Sequence, residues 1–66
     1  MNILTLDDVA EILKMKRNAV YEMTRSRSQA RQDHPIPFIK VAGNVRFLRS
    51  DVEAWLQKLA GREAAA

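Results

Sequence analysis

Pro35 and Pro37 divide this chain. Proline has no backbone N–H and clashes with the preceding turn. The pair therefore ends any helix that reaches it and favours extended backbone at His34 and Ile36. Apolar patterning on either side of it must belong to separate elements.

Before the prolines, Leu6, Val9, Ala10 and Leu13 recur at helical spacing, and Ile12 widens the stripe. Thr5 is placed to accept from a free N–H of the first turn, and Asp8, three residues on, completes a capping box. Asp7 and Asp8 suit the positive end of the helix dipole. Leu4 and Val9 have the spacing of a hydrophobic staple. The first helix is expected over Leu6 to Leu13.

Lys14 and Met15 form a short connection, with Met15 expected to plug the corner. A second helix starts near Lys16 or Arg17 and runs to about Arg25 or Arg27. A turn this short between helices is the mark of a helix-turn-helix. Ala19, Val20, Met23 and Thr24 face inward, leaving Lys16, Arg17, Asn18, Tyr21 and Arg25 outside. Those side chains bond phosphates and read base edges. Lys16 stands where a Ser or Thr cap is expected, cannot accept from N–H groups and opposes the dipole. Either a phosphate replaces the missing cap or water does.

The polar run Ser26 to His34 reads as a loop or a solvated extension of the second helix, on which Arg27 and Arg31 would share a face. His34 has no metal-ligand partner at a suitable spacing and reads as an exposed loop residue. After the prolines, Ile39, Val41, Val45 and Phe47 alternate with Lys40 and Arg46, the pattern of a hairpin with one buried face. A two-residue Gly43-Asn44 loop mixes the faces. A three-residue Ala42-Gly43-Asn44 loop pairs Val41 with Val45, Lys40 with Arg46 and Ile39 with Phe47, with Asn44 in the left-handed conformation. The preferred three-residue loop sets two cations opposite each other, a repulsion that a nearby anion relieves. Finally, Ser50 and Glu53 form a capping box for a last helix with Val52, Trp55, Leu56 and Leu59 as its stripe. Trp55 is expected to close the core against Leu6, Val20, Phe38 or Phe47, and Gly61 to end the helix.

Length and charge bound what such a chain can do. Its 66 residues make one small domain, and domains of this size bury only about 60% of their unfolded surface. There is no Cys, so no disulfide or thiolate metal site supports the core; this fits a cytoplasmic protein. No apolar run approaches the roughly 20 residues of a membrane span. Met1 to Thr5 lacks the pattern of a signal peptide. Net charge is +3, but from Lys14 to Arg49 nine bases (Lys14, Lys16, Arg17, Arg25, Arg27, Arg31, Lys40, Arg46, Arg49) face two acids, giving +7. The two ends together carry −4. One basic face and an acidic back point to nucleic acid. No nucleophile–base pair, metal cluster or phosphate-cradling glycine loop is present in the sequence, so neither an enzyme nor a cofactor or metal binder is expected.

The order helix, tight turn, helix, hairpin, helix resembles the excisionase-type helix-turn-helix family, small winged-helix domains related to the MerR DNA-binding domain. The resemblance runs from about Leu4 to Ala60. It is carried by Leu4-Thr5-Leu6-Asp7-Asp8-Val9-Ala10-Glu11-Ile12-Leu13, Val20-Tyr21, Pro37-Phe38-Ile39-Lys40-Val41 with Gly43, and Arg46-Phe47 followed by Ser50-Asp51-Val52-Glu53-Ala54-Trp55-Leu56. It implies a mainly helical winged helix-turn-helix, taken over residues 1–61; residues 62–66, after the helix-ending Gly61, read separately as a disordered, frayed tail. It further implies that the second helix enters the major groove of double-stranded DNA through Lys16, Arg17, Asn18, Tyr21 and Arg25. Lys40, Asn44 and Arg46 become wing contacts. Apart from the resemblance, the basic side chains of Lys14, Arg27, Arg31 and Arg49 are candidate backbone contacts, and the segment holding Arg27 and Arg31 reads as either a further DNA arm or a partner contact. The function implied is that of an excisionase, or recombination directionality factor. Such a protein binds repeated sites beside further copies of itself, bends DNA and biases an integrase towards excision. A small transcriptional regulator of the same fold and an adaptor that docks on a recombinase are the alternatives. Two departures stand out. Lys14-Met15-Lys16 replaces the family's usual Gly-Val-Ser, and Arg27 to His34 is an insertion ahead of the wing.

Overall fold

The computed structural model describes residues 2–61; the expected tail, 62–66, lies outside them. The chain runs β1 (Ile3–Leu4), α1 (Leu6–Leu13), α2 (Arg17–Met23), α3 (Ser26–Arg31), β2 (Ile39–Val41), β3 (Asn44–Leu48) and α4 (Arg49–Leu59).

Helix α1 has the expected bounds because its start is specified locally. Thr5 Oγ1 accepts from Asp8 N at 3.2 Å, and Asp8 Oδ2 accepts from Thr5 N at 3.0 Å. The helix ends on Lys14, held in the left-handed region at φ 57°. There its N–H reaches back to the last turn, and Met15 N donates to Ala10 O at 2.9 Å. This conformation favours glycine, which explains the glycine the resembled family uses there. Met15 does not plug the corner; it is 41% exposed.

Helix α2 stops earlier than expected. Thr24, buried, turns its hydroxyl onto Tyr21 O at 2.7 Å, and Arg25 adopts extended backbone. The segment that follows is neither loop nor continuation but a separate helix, α3.

The C-terminal half departs most from expectation. The sheet has three strands in the order β1-β3-β2, both pairings antiparallel. Strand β1 pairs Ile3 with Leu48 and Leu4 with Phe47. The hairpin register is also different: Ile39 pairs with Arg46, Lys40 with Val45 and Val41 with Asn44. The turn is the two residues Ala42 and Gly43, at φ 52° and 82°. Two positive-φ residues give a turn whose twist matches that of the strands, and this outweighs the cost of placing Ala42, rather than Asn44, in the left-handed region. Lys40 and Arg46 are therefore not opposed, and the repulsion expected between them does not arise. Opposed residues share a face, so Lys40 lies with Val45 and Phe47 on the inner face. Ile39, Val41 and Arg46 lie on the outer face, and Ile39 and Val41 are exposed.

Helix α4 begins at Arg49 without a side-chain cap, so Ser50 is not its cap. Arg49 N donates to Asn2 O at 2.9 Å, and Glu53 turns to Arg49 at 3.9 Å. The chain's second residue thus supplies the acceptor that a cap would not. Gly61, at φ 72°, follows the helix as expected, its N–H on Lys58 O at 3.0 Å.

The core joins both halves: Leu4, Leu6, Val9, Ala10, Val20, Ile36, Phe47, Val52 and Trp55 form one buried cluster, with Leu13, Met23, Phe38, Val45 and Leu56 packed around it. Trp55 Nε1 donates to His34 O at 2.7 Å, satisfying the indole. Ile36, between the prolines, is fully buried, whereas Ile12 and Leu59, expected in the apolar stripes, are exposed. This is a winged helix-turn-helix, mainly helical, with a small antiparallel sheet. No helix among the described residues is long and apolar enough to cross a membrane.

Candidate nucleic-acid interface

Burial of Val20 and Thr24 fixes the rotation of α2. It leaves Lys16, Arg17, Asn18 and Tyr21 exposed, with Arg25 exposed just beyond the helix. Lys16 precedes the helix in extended conformation, and no side chain caps the start.

An open groove of about 1030 Å³ runs between α2–α3 on one side and the hairpin on the other. Arg17, Tyr21 and Arg25 enter it from α2 and its end, Arg27 from α3, and Lys40, Asn44 and Arg46 from the hairpin. Lys40 and Val45, opposed in the observed register, both line it. Five cations thus line the groove against two carboxylates, Asp7 and Glu22.

Both carboxylates are engaged. Asp7 Oδ1 lies 3.1 Å from Arg17 Nε, and Glu22 Oε2 lies 3.5 Å from an Arg25 guanidinium nitrogen. All four side chains are more than half exposed. Such pairs contribute about 0–1 kcal/mol each, so they orient the arginines at little cost to a competing phosphate. Arg27, Lys40 and Arg46 have no carboxylate partner among the described residues. Arg46 donates instead to Val45 O at 2.7 Å.

The structure therefore gathers seven of the twelve candidate residues in one groove. Lys14, Lys16, Asn18, Arg31 and Arg49 are exposed outside it. Lys14 lies at the turn, Lys16 and Asn18 at the start of α2, Arg31 at the far end of α3, and Arg49 at the start of α4 beside Glu53. His34 is exposed, as expected. Sequence reasoning missed Ser26 and Ser28, which line the groove from α3, and the carboxylate of Asp7. The alternation Arg25-Ser26-Arg27-Ser28 was visible, but nothing in it announced a helix.

A long, open, cationic cleft with an exposed aromatic and few apolar atoms suits a polyanion rather than a small molecule. A family model described as a helix-turn-helix domain matches residues 3–60. Neither a curated protein nor a solved structure matches the chain. With fold, groove charge and family model in agreement, the chain belongs to the helix-turn-helix domain family, and its partner is DNA.

Proposed function

We propose that this protein is a sequence-specific DNA-binding protein without catalytic activity, acting as an excisionase or recombination directionality factor. The observation that carries the DNA-reading part is the single groove that collects Arg17, Tyr21 and Arg25 beside the hairpin's Lys40 and Arg46. In this reading α2 enters the major groove, Arg17, Asn18 and Tyr21 meet base edges, and the hairpin lies along the sugar–phosphate backbone. Lys16, Lys14 and Arg49 contact neighbouring phosphates.

The excisionase role is supported by the resemblance from Leu4 to Ala60, including its MerR-like wing, and by size. One module makes few base contacts, so specificity is built from several copies on adjacent repeats. The copies bend the DNA and bias an integrase. Such work is done in the cytoplasm of a bacterium, by a protein of bacterial or phage origin.

A gel-shift titration against DNA flanking the gene, at two salt concentrations, tests both levels. A ladder of discrete bands on repeats beside an attachment site is expected. A single band at a promoter would replace the excisionase with a transcriptional regulator. No shift at low salt would overturn DNA binding and leave the recombinase adaptor.

A further inference from the structure

The insertion ahead of the wing has a built position. Helix α3 is tied at both ends of its neighbourhood by one side chain. Gln29 Nε2 donates to Met23 O, at the end of α2, at 2.8 Å, and to Ile36 O at 3.0 Å. Ile36 is fully buried between the two prolines, so the second anchor belongs to the core. Gln29 N also closes the first turn on Arg25 O at 2.9 Å. A solvated spacer needs none of these bonds.

The placement has a directional result. The first turn of α3 lines the same groove as the hairpin, with Arg27 flanked by Ser26 and Ser28. Arg31, four residues later, does not reach it. The groove thus takes cations from two parts of the fold: Arg25 and Arg27 from the end of α2 and the start of α3, Lys40 and Arg46 from the hairpin. Its carboxylates enter from α1 and α2 and are paired there with Arg17 and Arg25. Cations gathered from two elements match a phosphate backbone rather than the base edges that the proposed function assigns to α2.

We propose that α3 is a third DNA-contacting element that grips the sugar–phosphate backbone through Arg27, with Gln29 as the positioning residue that holds it against the groove. This rests on the DNA-binding reading above. Arg31, equal in charge and on the same helix, is not part of the grip.

The test is the salt dependence of binding to mixed-sequence duplex DNA by the full chain. Arg27→Ala is expected to weaken binding several-fold and to reduce the slope of log affinity against log salt by about 0.9, the share of one phosphate. Arg31→Ala is expected to leave the slope unchanged. Because each variant removes one exposed charge, the pair separates contact from net charge. Gln29→Ala should reproduce the slope lost in Arg27→Ala, and the double variant should lose no more than one of them alone. A purely structural Gln29 would give additive losses, which would overturn its positioning role. Equal slopes for Arg27→Ala and Arg31→Ala, with Lys40→Ala still weakened, would overturn the α3 grip and leave DNA binding standing. Absence of binding by the parent protein at low salt would overturn the underlying reading instead. Arg27 and Arg31 are both exposed, so their comparison decides the grip whatever Gln29→Ala does to folding.

Discussion

Helix α1 begins under two reciprocal side-chain bonds, and helix α2, only four residues after α1 ends, begins with none. At the first start, Thr5 and Asp8 satisfy each other's backbone and Asp7 and Asp8 meet the dipole with the right sign. At the second, Lys16 offers no acceptor, and no acidic residue stands in the first turn. The turn between them is held by Lys14 in a conformation that a side chain disfavours. In the proposed DNA-binding reading, the difference separates scaffold from interface. Under the proposed function, α1 obeys the local rules at its start and α2, turned to the partner, does not.

That division can be broken by experiment. The largest effect belongs to the scaffold. Trp55→Ala removes the buried indole and leaves His34 O without its donor, at a cost of about 3–5 kcal/mol. In a domain this small the cooperative thermal transition should vanish, as followed by circular dichroism. A soluble variant that melts cooperatively would contradict the core placement.

Next is the interface. Arg17→Ala should cost about 1–3 kcal/mol in binding to the specific site and less on mixed-sequence DNA. Its melting temperature should stay close to that of the parent, because the Asp7 pair is exposed. An equal loss on both DNAs would make Arg17 a phosphate contact instead.

The two helix starts allow a direct exchange. Thr5→Ala should cost about 1 kcal/mol of stability by denaturant titration, without changing DNA affinity once folded. Lys16→Ser, which installs at α2 the acceptor that α1 has, should gain a similar amount and weaken DNA binding. If Lys16→Ser gains stability and binds DNA as well as before, the uncapped start is not reserved for the partner. The smallest effect is at the turn. Lys14→Gly relieves the positive φ and should raise stability by about 0.5–1 kcal/mol, since the freedom glycine adds to the unfolded chain offsets part of the gain. A loss of stability would show that the Lys14 side chain contributes more than its backbone costs.

What the sequence made legible follows the same physics. The bounds of α1, its cap and the glycine that follows α4 act within four residues, so they can be read from spacing. The exposed side of α2 was legible because Val20 and Thr24 define its buried side. Strand β1 was not. Two residues carry no alternation, and Ile3 and Leu4 are held by partners more than forty positions away. That pairing extends to the start of α4, where Asn2 O accepts from Arg49 N, and Ser50 lies inside the helix rather than at its cap. The hairpin register was decided by turn twist rather than by the apolar alternation, which is why Ile39 and Val41 point outward. The groove was legible only as a set of basic residues. Its assembly depends on the hairpin register and on α3, which Gln29 ties to carbonyls that no spacing rule connects.

The bond between Asn2 and Arg49 has a kinetic meaning. Closing a loop from the second residue to the start of the last helix carries the entropy cost of a long loop, whereas the helices and the hairpin close short ones. The bond thus adds one non-local contact to a fold whose helices and hairpin are local.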